Sequence, residues 1–126
     1  STNRAEELVV ATNAEFAPFE YMANNSFGGI DMQVANILAK KMNKRLVVKH
    51  MAFDVVVDNV ANKNADIAMA GLTISEDRKE KVDFSIEYCT AAQRLAVAID
   101  DTTFDGCKSK EDVDNILKTL SGVKAI

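Results

Sequence analysis

The chain has 126 residues, 48% of them hydrophobic and 27% charged, which is material for one ordinary core and one domain. Its net charge of -4 is mild and acidic and argues against a protein that grips a nucleic-acid backbone. No apolar run approaches the ~18 residues needed to span a bilayer, and no charged n-region leads into an apolar h-region. The expectation is therefore that any signal peptide has already been removed from this chain. Cys89 and Cys107 decide little, since a disulfide and two buried thiols fit equally well.

Residues Ser1 to Glu7 read as a loose polar lead-in. Leu8 to Thr12 (LVVAT) has the composition of a buried strand. It ends at Asn13, and the loop that follows carries Phe16, Pro18 and Phe19. For Phe19 a core position is expected, whereas Phe16 lies nearer the strand tip and fits a pocket wall equally well. Glu20 to Met22 and Phe27 flank the turn-like Asn24-Asn25-Ser26, which predicts a small hairpin. After Gly28-Gly29 comes the clearest helix, with Ile30, Val34, Ile37, Leu38 and Met42 on one stripe and Asp31, Lys40 and Lys41 elsewhere. Arg45 to Met51 predicts a second strand. His50, the only histidine, lies in it with no Cys, Asp or His at ligand spacing, so a metal site is not expected.

Asp54 to Ala61 is predicted helical, capped by Asp54, because Val56, Val57 and Val60 share a face. A turn at Asn62-Lys63-Asn64 leads to a third strand at Ala65 to Ala70 and a short helix at Ser75 to Lys81. Gln93 to Ile99 reads as a further strand, and Asp100 to Gly106 as an acidic connection. Ser109, with Asp112 three residues on, caps a helix through Val113, Ile116, Leu117 and Leu120 that ends at Gly122. Val123 to Ile126 begins a last strand.

Strand alternating with helix predicts an α/β domain with a mainly parallel sheet. Ligands of such sheets bind outside the carboxyl ends of the strands. Asn13 and Phe16 follow the first strand, Phe53 the second, and Ala70 to Thr73 the third, so these positions share one rim. The segment Asp66-Ile67-Ala68-Met69-Ala70-Gly71-Leu72-Thr73-Ile74-Ser75-Glu76-Asp77-Arg78 stands out there. Ser75 can cap a helix whose first turn suits Glu76 and Asp77, but Arg78 opposes the helix dipole by roughly 0.3–1 kcal/mol. A bound carboxylate or phosphate would reward it, with the Thr73 hydroxyl and nearby N–H groups converging on the same anion. An ion pair of Arg78 with Glu76, Asp77 or another surface acid accounts for it equally well. An apolar wall from Phe16 and Phe53 beside an anion site suits a small zwitterion better than a nucleotide, and the Gly-rich phosphate loops are absent.

The stretches LVVATNAEFAPFEYM, GGIDMQVANILAKKM and ADIAMAGLTISEDRKEKVDFSIEY resemble the polar amino-acid group of bacterial solute-binding proteins that serve ABC importers. The match runs in order to about Ile99, and AGLTISEDRK…VDFS is its specific part. The resemblance implies one lobe of a type II periplasmic-binding-protein fold: a mainly parallel sheet flanked by helices and truncated before the second lobe. Residues 1–99 would form that first lobe, incomplete without its return segment, and residues 100–126 the hinge crossing and the start of the second.

It implies further that Arg78 holds the ligand α-carboxylate by a two-pronged contact that Lys could not reproduce. Thr73 and the backbone of Ala70 and Gly71 would bind the carboxylate and α-amino group, and Phe16 and Phe53 would sandwich the ligand side chain. Asn13 stands where relatives are commonly acidic, which leans toward glutamine or another neutral polar amino acid. The implied partners are a free amino acid and an ABC permease, in the periplasm or outside the cell, with a lipid anchor on the full precursor as one option the resemblance allows. No nucleic acid, cofactor, metal or catalytic residue is implied. The exposed surface of a lone lobe also suggests self-association or strand exchange.

Two other classes fit the resemblance. One is an extracytoplasmic sensor domain of a receptor or histidine kinase. The other is a periplasmic dehydratase, which would need a placed general acid; Glu15 is a weak candidate for it, and Cys89 lacks an evident base.

Overall fold

A computed structural model of the chain describes residues 6–92 and 94–122. The chain divides into two compact units, Ser1–Ile86 and Glu87–Ile126. The first unit is built on β1 (Glu7–Thr12), whose residues from Leu8 onward are all buried. β1 pairs in parallel with β5 (Arg45–His50), in register from Glu7↔Arg45 to Thr12↔His50. On its other side it pairs in parallel with β6 (Ile67–Ala68), giving the order β5-β1-β6. The expected third strand is thus shorter than Ala65 to Ala70, although backbone bonds continue on either side of it. Asp66 N–H donates to the Val9 carbonyl at 2.8 Å and Met69 N–H to the Ala11 carbonyl at 3.0 Å. The Asp66 side chain adds to this pairing by accepting from Val9 N–H at 2.8 Å.

Because a strand turns successive side chains to opposite faces, β1 feeds two cores. Leu8 and Val10 pack with Ala35, Ala39 and Met69 on one face, and Val9 and Ala11 with Val56, Ala65 and Ala70 on the other. The connections explain this. A right-handed crossover from β1 to β5 and another from β5 back past β1 to β6 run in opposite directions. They place α1 (Ile30–Lys41) and α2 (Phe53–Ala61) on opposite faces of the sheet.

The buried face of α1 is not the expected one. Met32, Ala35 and Ala39 are buried and so is Asp31, whereas Ile30, Ile37, Leu38 and Met42 are exposed. Small side chains allow the helix to sit close against the sheet, and the large apolar ones are left outward. α2 forms as predicted, with Val56 fully buried and Val57 and Val60 partly so. Its N-cap is Ala52 without a side-chain bond, and Asp54 is a first-turn acid rather than the cap.

Between β1 and α1 lies a small antiparallel sheet of β2 (Glu15–Phe16), β3 (Glu20–Ala23) and β4 (Ser26–Gly28). Asn24 and Asn25 both have positive φ, 50° and 60°, as a two-residue hairpin turn requires. At Gly29 a Cβ would come within 2.3 Å of the Phe19 carbonyl oxygen, so only glycine fits the start of α1. α3 (Glu76–Lys79) follows β6 and is capped by Ser75, whose Oγ accepts from Arg78 N–H at 3.4 Å.

In the second unit, residues 94–98 form no strand, contrary to the expectation for Gln93 to Ile99, and Leu95, Val97 and Ile99 are exposed. A strand needs a neighbour to pair with, and the described residues of this unit include none. Their one regular element is α4 (Lys110–Thr119). Ser109 Oγ accepts from Asp112 N–H at 3.2 Å, while Asp112 Oδ2 accepts from Lys108 N–H at 2.8 Å. The helix ends before Gly122, which has φ 70°. Cys89 and Cys107 are free thiols, Cys89 exposed, so neither expected alternative describes them. The strand expected over Val123 to Ile126 lies outside the described residues.

Candidate functional site

The carboxyl ends of β1, β5 and β6 deliver Asn13, His50 and the Ala70–Thr73 segment to one rim, with α2 and α3 starting beside it. Arg78 is held there by two contacts. Its Nη1 donates to the Thr73 carbonyl at 2.8 Å, and its guanidinium carbon lies 5.4 Å from the centroid of the Phe53 ring. Lys79, not Arg78, pairs with Glu76, and Lys81, just past α3, pairs with Asp58 of α2. Among the described residues Arg78 pairs with no carboxylate. A half-buried guanidinium fixed on one edge keeps its remaining N–H groups for another acceptor.

Gly71 has φ 58°, and a Cβ there would meet the Phe16 ring at 2.6 Å. Phe16 therefore rests on the Gly71 backbone, and its other neighbour is Phe19, stacked at 5.4 Å between centroids. Phe19 is half-buried and supports the exposed Phe16 ring. The Gly71 N–H is not open to a ligand, because it donates inward to Asp31 Oδ2 at 3.3 Å. What Gly71 can offer is its carbonyl. Asn13 Nδ2 donates to the Met51 carbonyl at 2.9 Å, which leaves its Oδ1 as the acceptor to present.

Three residues near the rim were not among those the sequence assigned to the site. His50 is less remote than its strand assignment suggests, since its Nδ1 accepts from Ala14 N–H at 3.1 Å just beyond β1. Asp31, expected on the outer face of α1, is fully buried, and so is Glu20 on β3. Burial, together with the adjacent Asp31 carboxyl, pushes the pKa of Glu20 up from 4.5 to about 9. Only the alternation of β3, with Tyr21 exposed and Glu20 one residue earlier, could have hinted at an inward acid.

Phe53, Asp54, Val57 and Asp58 of α2 face Asp77, Arg78 and Lys81 across a depression of about 250 Å³. A larger one of about 490 Å³, lined by residues such as Glu6, Lys44 and Arg45, lies at the opposite ends of the strands and contains none of the rim residues. Among the described residues no three His, Cys, Asp or Glu side chains converge as metal ligands.

A parallel sheet wound by helices on both faces, with its candidate residues on the loops after the strand ends, is one lobe of a type II periplasmic-binding-protein fold. The chain belongs to the bacterial extracellular solute-binding proteins, family 3, which match it over residues 8–124. A probable histidine-binding protein of Neisseria gonorrhoeae is 40% identical over 98 residues, covering 77% of this chain and 37% of that protein. Arginine-bound truncated ArgBP from T. maritima superposes with a TM-score of 0.65 at 33% identity, over 67% of this chain and 40% of that one. A cyclohexadienyl dehydratase of Pseudomonas aeruginosa is 33% identical over 82 residues, 64% of this chain and 31% of the enzyme. The chain thus spans well under half the length of these proteins.

Proposed function

We propose that this rim is one jaw of a site for a free L-amino acid, which the protein holds outside the cytoplasm for delivery to an ABC permease. The observation that carries this reading is Arg78, anchored by the Thr73 carbonyl and the Phe53 ring and paired with no acid among the described residues. Its open N–H groups suit the ligand α-carboxylate. The Thr73 hydroxyl and the backbone of Ala70 and Gly71 serve the carboxylate and α-ammonium group, with Gly71 contributing its carbonyl. Phe16 and Phe53 flank the side chain.

Asn13 supplies an uncharged acceptor, which favours a neutral side chain ending in N–H, of glutamine type. The names of the relatives support a nitrogen-bearing side chain more generally. On this reading the lobe extends over residues 1–99, beyond the compact unit that ends at Ile86, and residues 100–126 cross the hinge and begin a second lobe. The exposed Ile37, Leu38 and Met42 on α1 support self-association of this chain, which size-exclusion at rising concentration tests. The dehydratase relative favours no enzymatic reading here. Glu20, the carboxyl with the raised pKa, is enclosed and cannot reach a substrate, and Glu15 is an exposed acid on β2.

The test is an amide NMR titration with a panel of L-amino acids into the millimolar range, where a Kd near 1 mM corresponds to about 4 kcal/mol. Saturable shifts at Gly71, Thr73 and Arg78, lost in Arg78→Ala, are expected. A dispersed spectrum that stays silent across the panel overturns the reading.

A further inference from the structure

Beneath the rim lies a feature that amino-acid binding by itself does not require. Glu20 and Asp31 are both fully buried, and they come from different elements, β3 and the first turn of α1. Asp31 Oδ2 accepts from Gly71 N–H. Glu20 Oε1 lies 3.7 Å from the point where a Gly71 Cβ would stand, beside the Phe16 ring. Two carboxyls thus converge on the one glycine that supports the aromatic wall.

Two buried anions in contact repel strongly, so the pair is stable with one proton between them. Asp31 is the member suited to carry the charge. It sits at the positive end of α1 and accepts a backbone N–H. Glu20 is suited to carry the proton, because no N–H donates to either of its oxygens among the described residues.

Among the described residues Asp31 is the one charged group set against Glu20, and Asp66 beside β6 is turned to the Val9 N–H of β1. Tyr21 on β3 turns the other way, over Gly28, and Glu15 on β2 is exposed. Glu7 on β1 and Arg45 on β5 pair with each other, and Lys49 of β5 is exposed. His50 is engaged with Ala14, and Lys40 and Lys41 lie in the last turn of α1.

We propose that Glu20 and Asp31 are positioning residues for the amino-acid site: sharing one proton, they fix Gly71 and the Phe16 ring above it, and ligand affinity falls when that proton is lost. This rests on the amino-acid reading of the rim. Loss of the proton sets two carboxylates against each other. Asp31 moves, and Gly71 and Phe16 move with it.

The test has a ligand-free arm and a ligand arm, both on the 126-residue chain. In carbon-detected NMR of the free wild type from pH 5 to pH 10, the Glu20 carboxyl carbon and Gly71 Cα are expected to titrate together, with a midpoint near 9. Gly71 is expected to stay flat in Glu20→Gln, which mimics the protonated acid. A Glu20 carboxyl that titrates below pH 6, or a Gly71 that ignores it, overturns the proposal without any variant.

In the second arm, L-glutamine, L-histidine and L-arginine are titrated into both proteins at pH 8 and pH 10. Loss of the ligand's own α-ammonium proton weakens both proteins alike. The wild type is expected to lose about tenfold more affinity than Glu20→Gln, the factor a midpoint near 9 gives over that interval. Equal losses overturn the positioning role while the binding reading stands. Gly71 titrating with Glu20 while none of the three amino acids binds at pH 8 overturns the binding reading, and the proposal falls with it.

Discussion

Replacing Gly71 by alanine tests the geometry of the rim in one step. The residue has φ 58°, where an L side chain costs about 1–2 kcal/mol. Its new Cβ would stand 2.6 and 2.7 Å from two carbons of the Phe16 ring, closer than real carbons approach. Phe16 is 46% exposed and can swing away, but doing so gives up its stack on Phe19, worth about 0.5–1.5 kcal/mol. The sum is a loss of about 1.5–3.5 kcal/mol, within the usual 5–15 kcal/mol of a stable domain, so the variant still folds. Urea unfolding followed by far-UV circular dichroism should show the midpoint lowered by about 0.5 M or more, at the m-value of a small domain of about 1–3 kcal/mol/M. Gly106→Ala is the control, since nothing lies within 4 Å of its Cβ, and it should stay within about 0.5 kcal/mol of wild type. If Gly71→Ala matches that control, the positive φ and the Phe16 contact are absent in solution and the reasoning fails.

Two further outcomes follow from the buried groups. Between pH 4.5 and about 9 the unfolded chain gives up the Glu20 proton while the folded one keeps it. The stability held below pH 4.5 is therefore lost as pH rises through about 9, by at most about 1.4 kcal/mol per pH unit. Urea midpoints across that range should fall in the wild type and flatten in Glu20→Gln; parallel profiles would place Glu20 in water. Val56→Ala removes two carbons from a fully buried side chain and should cost about 2 kcal/mol in the same assay, with a value under about 0.5 excluding the packing of α2 on β1.

Much of the first unit was legible in its sequence. A buried β-branched run, a turn-forming Asn-Asn pair and a Ser cap each have local causes, and β1, the hairpin and α3 formed where those causes lie. The outward stripe of α1 was not legible. Periodicity locates the apolar residues but not the neighbour they face, and here the sheet accepted the small Ala35 and Ala39 instead. The strand expected at Gln93 to Ile99 failed for a related reason, since β-propensity supplies no edge to pair with. Within the candidate site, Arg78 lies against the Phe53 ring and donates to the Thr73 carbonyl, a backbone contact that the sequence reading, which set the Thr73 hydroxyl beside it, did not include. Glu20 and Asp31 escaped notice because their meaning is tertiary: an acid is expected on a surface until another element covers it.

β1 is bonded along its whole length on one side and by only two register pairs on the other. The sheet is therefore unevenly fastened. The amides of β1 and β5 should be the last to exchange with solvent, and those around β6 among the first. The segment from Ala70 to Arg78 is tethered through that weaker seam, reinforced by the Asp66 carboxylate at Val9 and the Asp31 carboxylate at Gly71. The loop from Ala70 to Arg78 can thus loosen in a fluctuation that leaves β5 and β1 joined, so the candidate site can open without unfolding of the sheet.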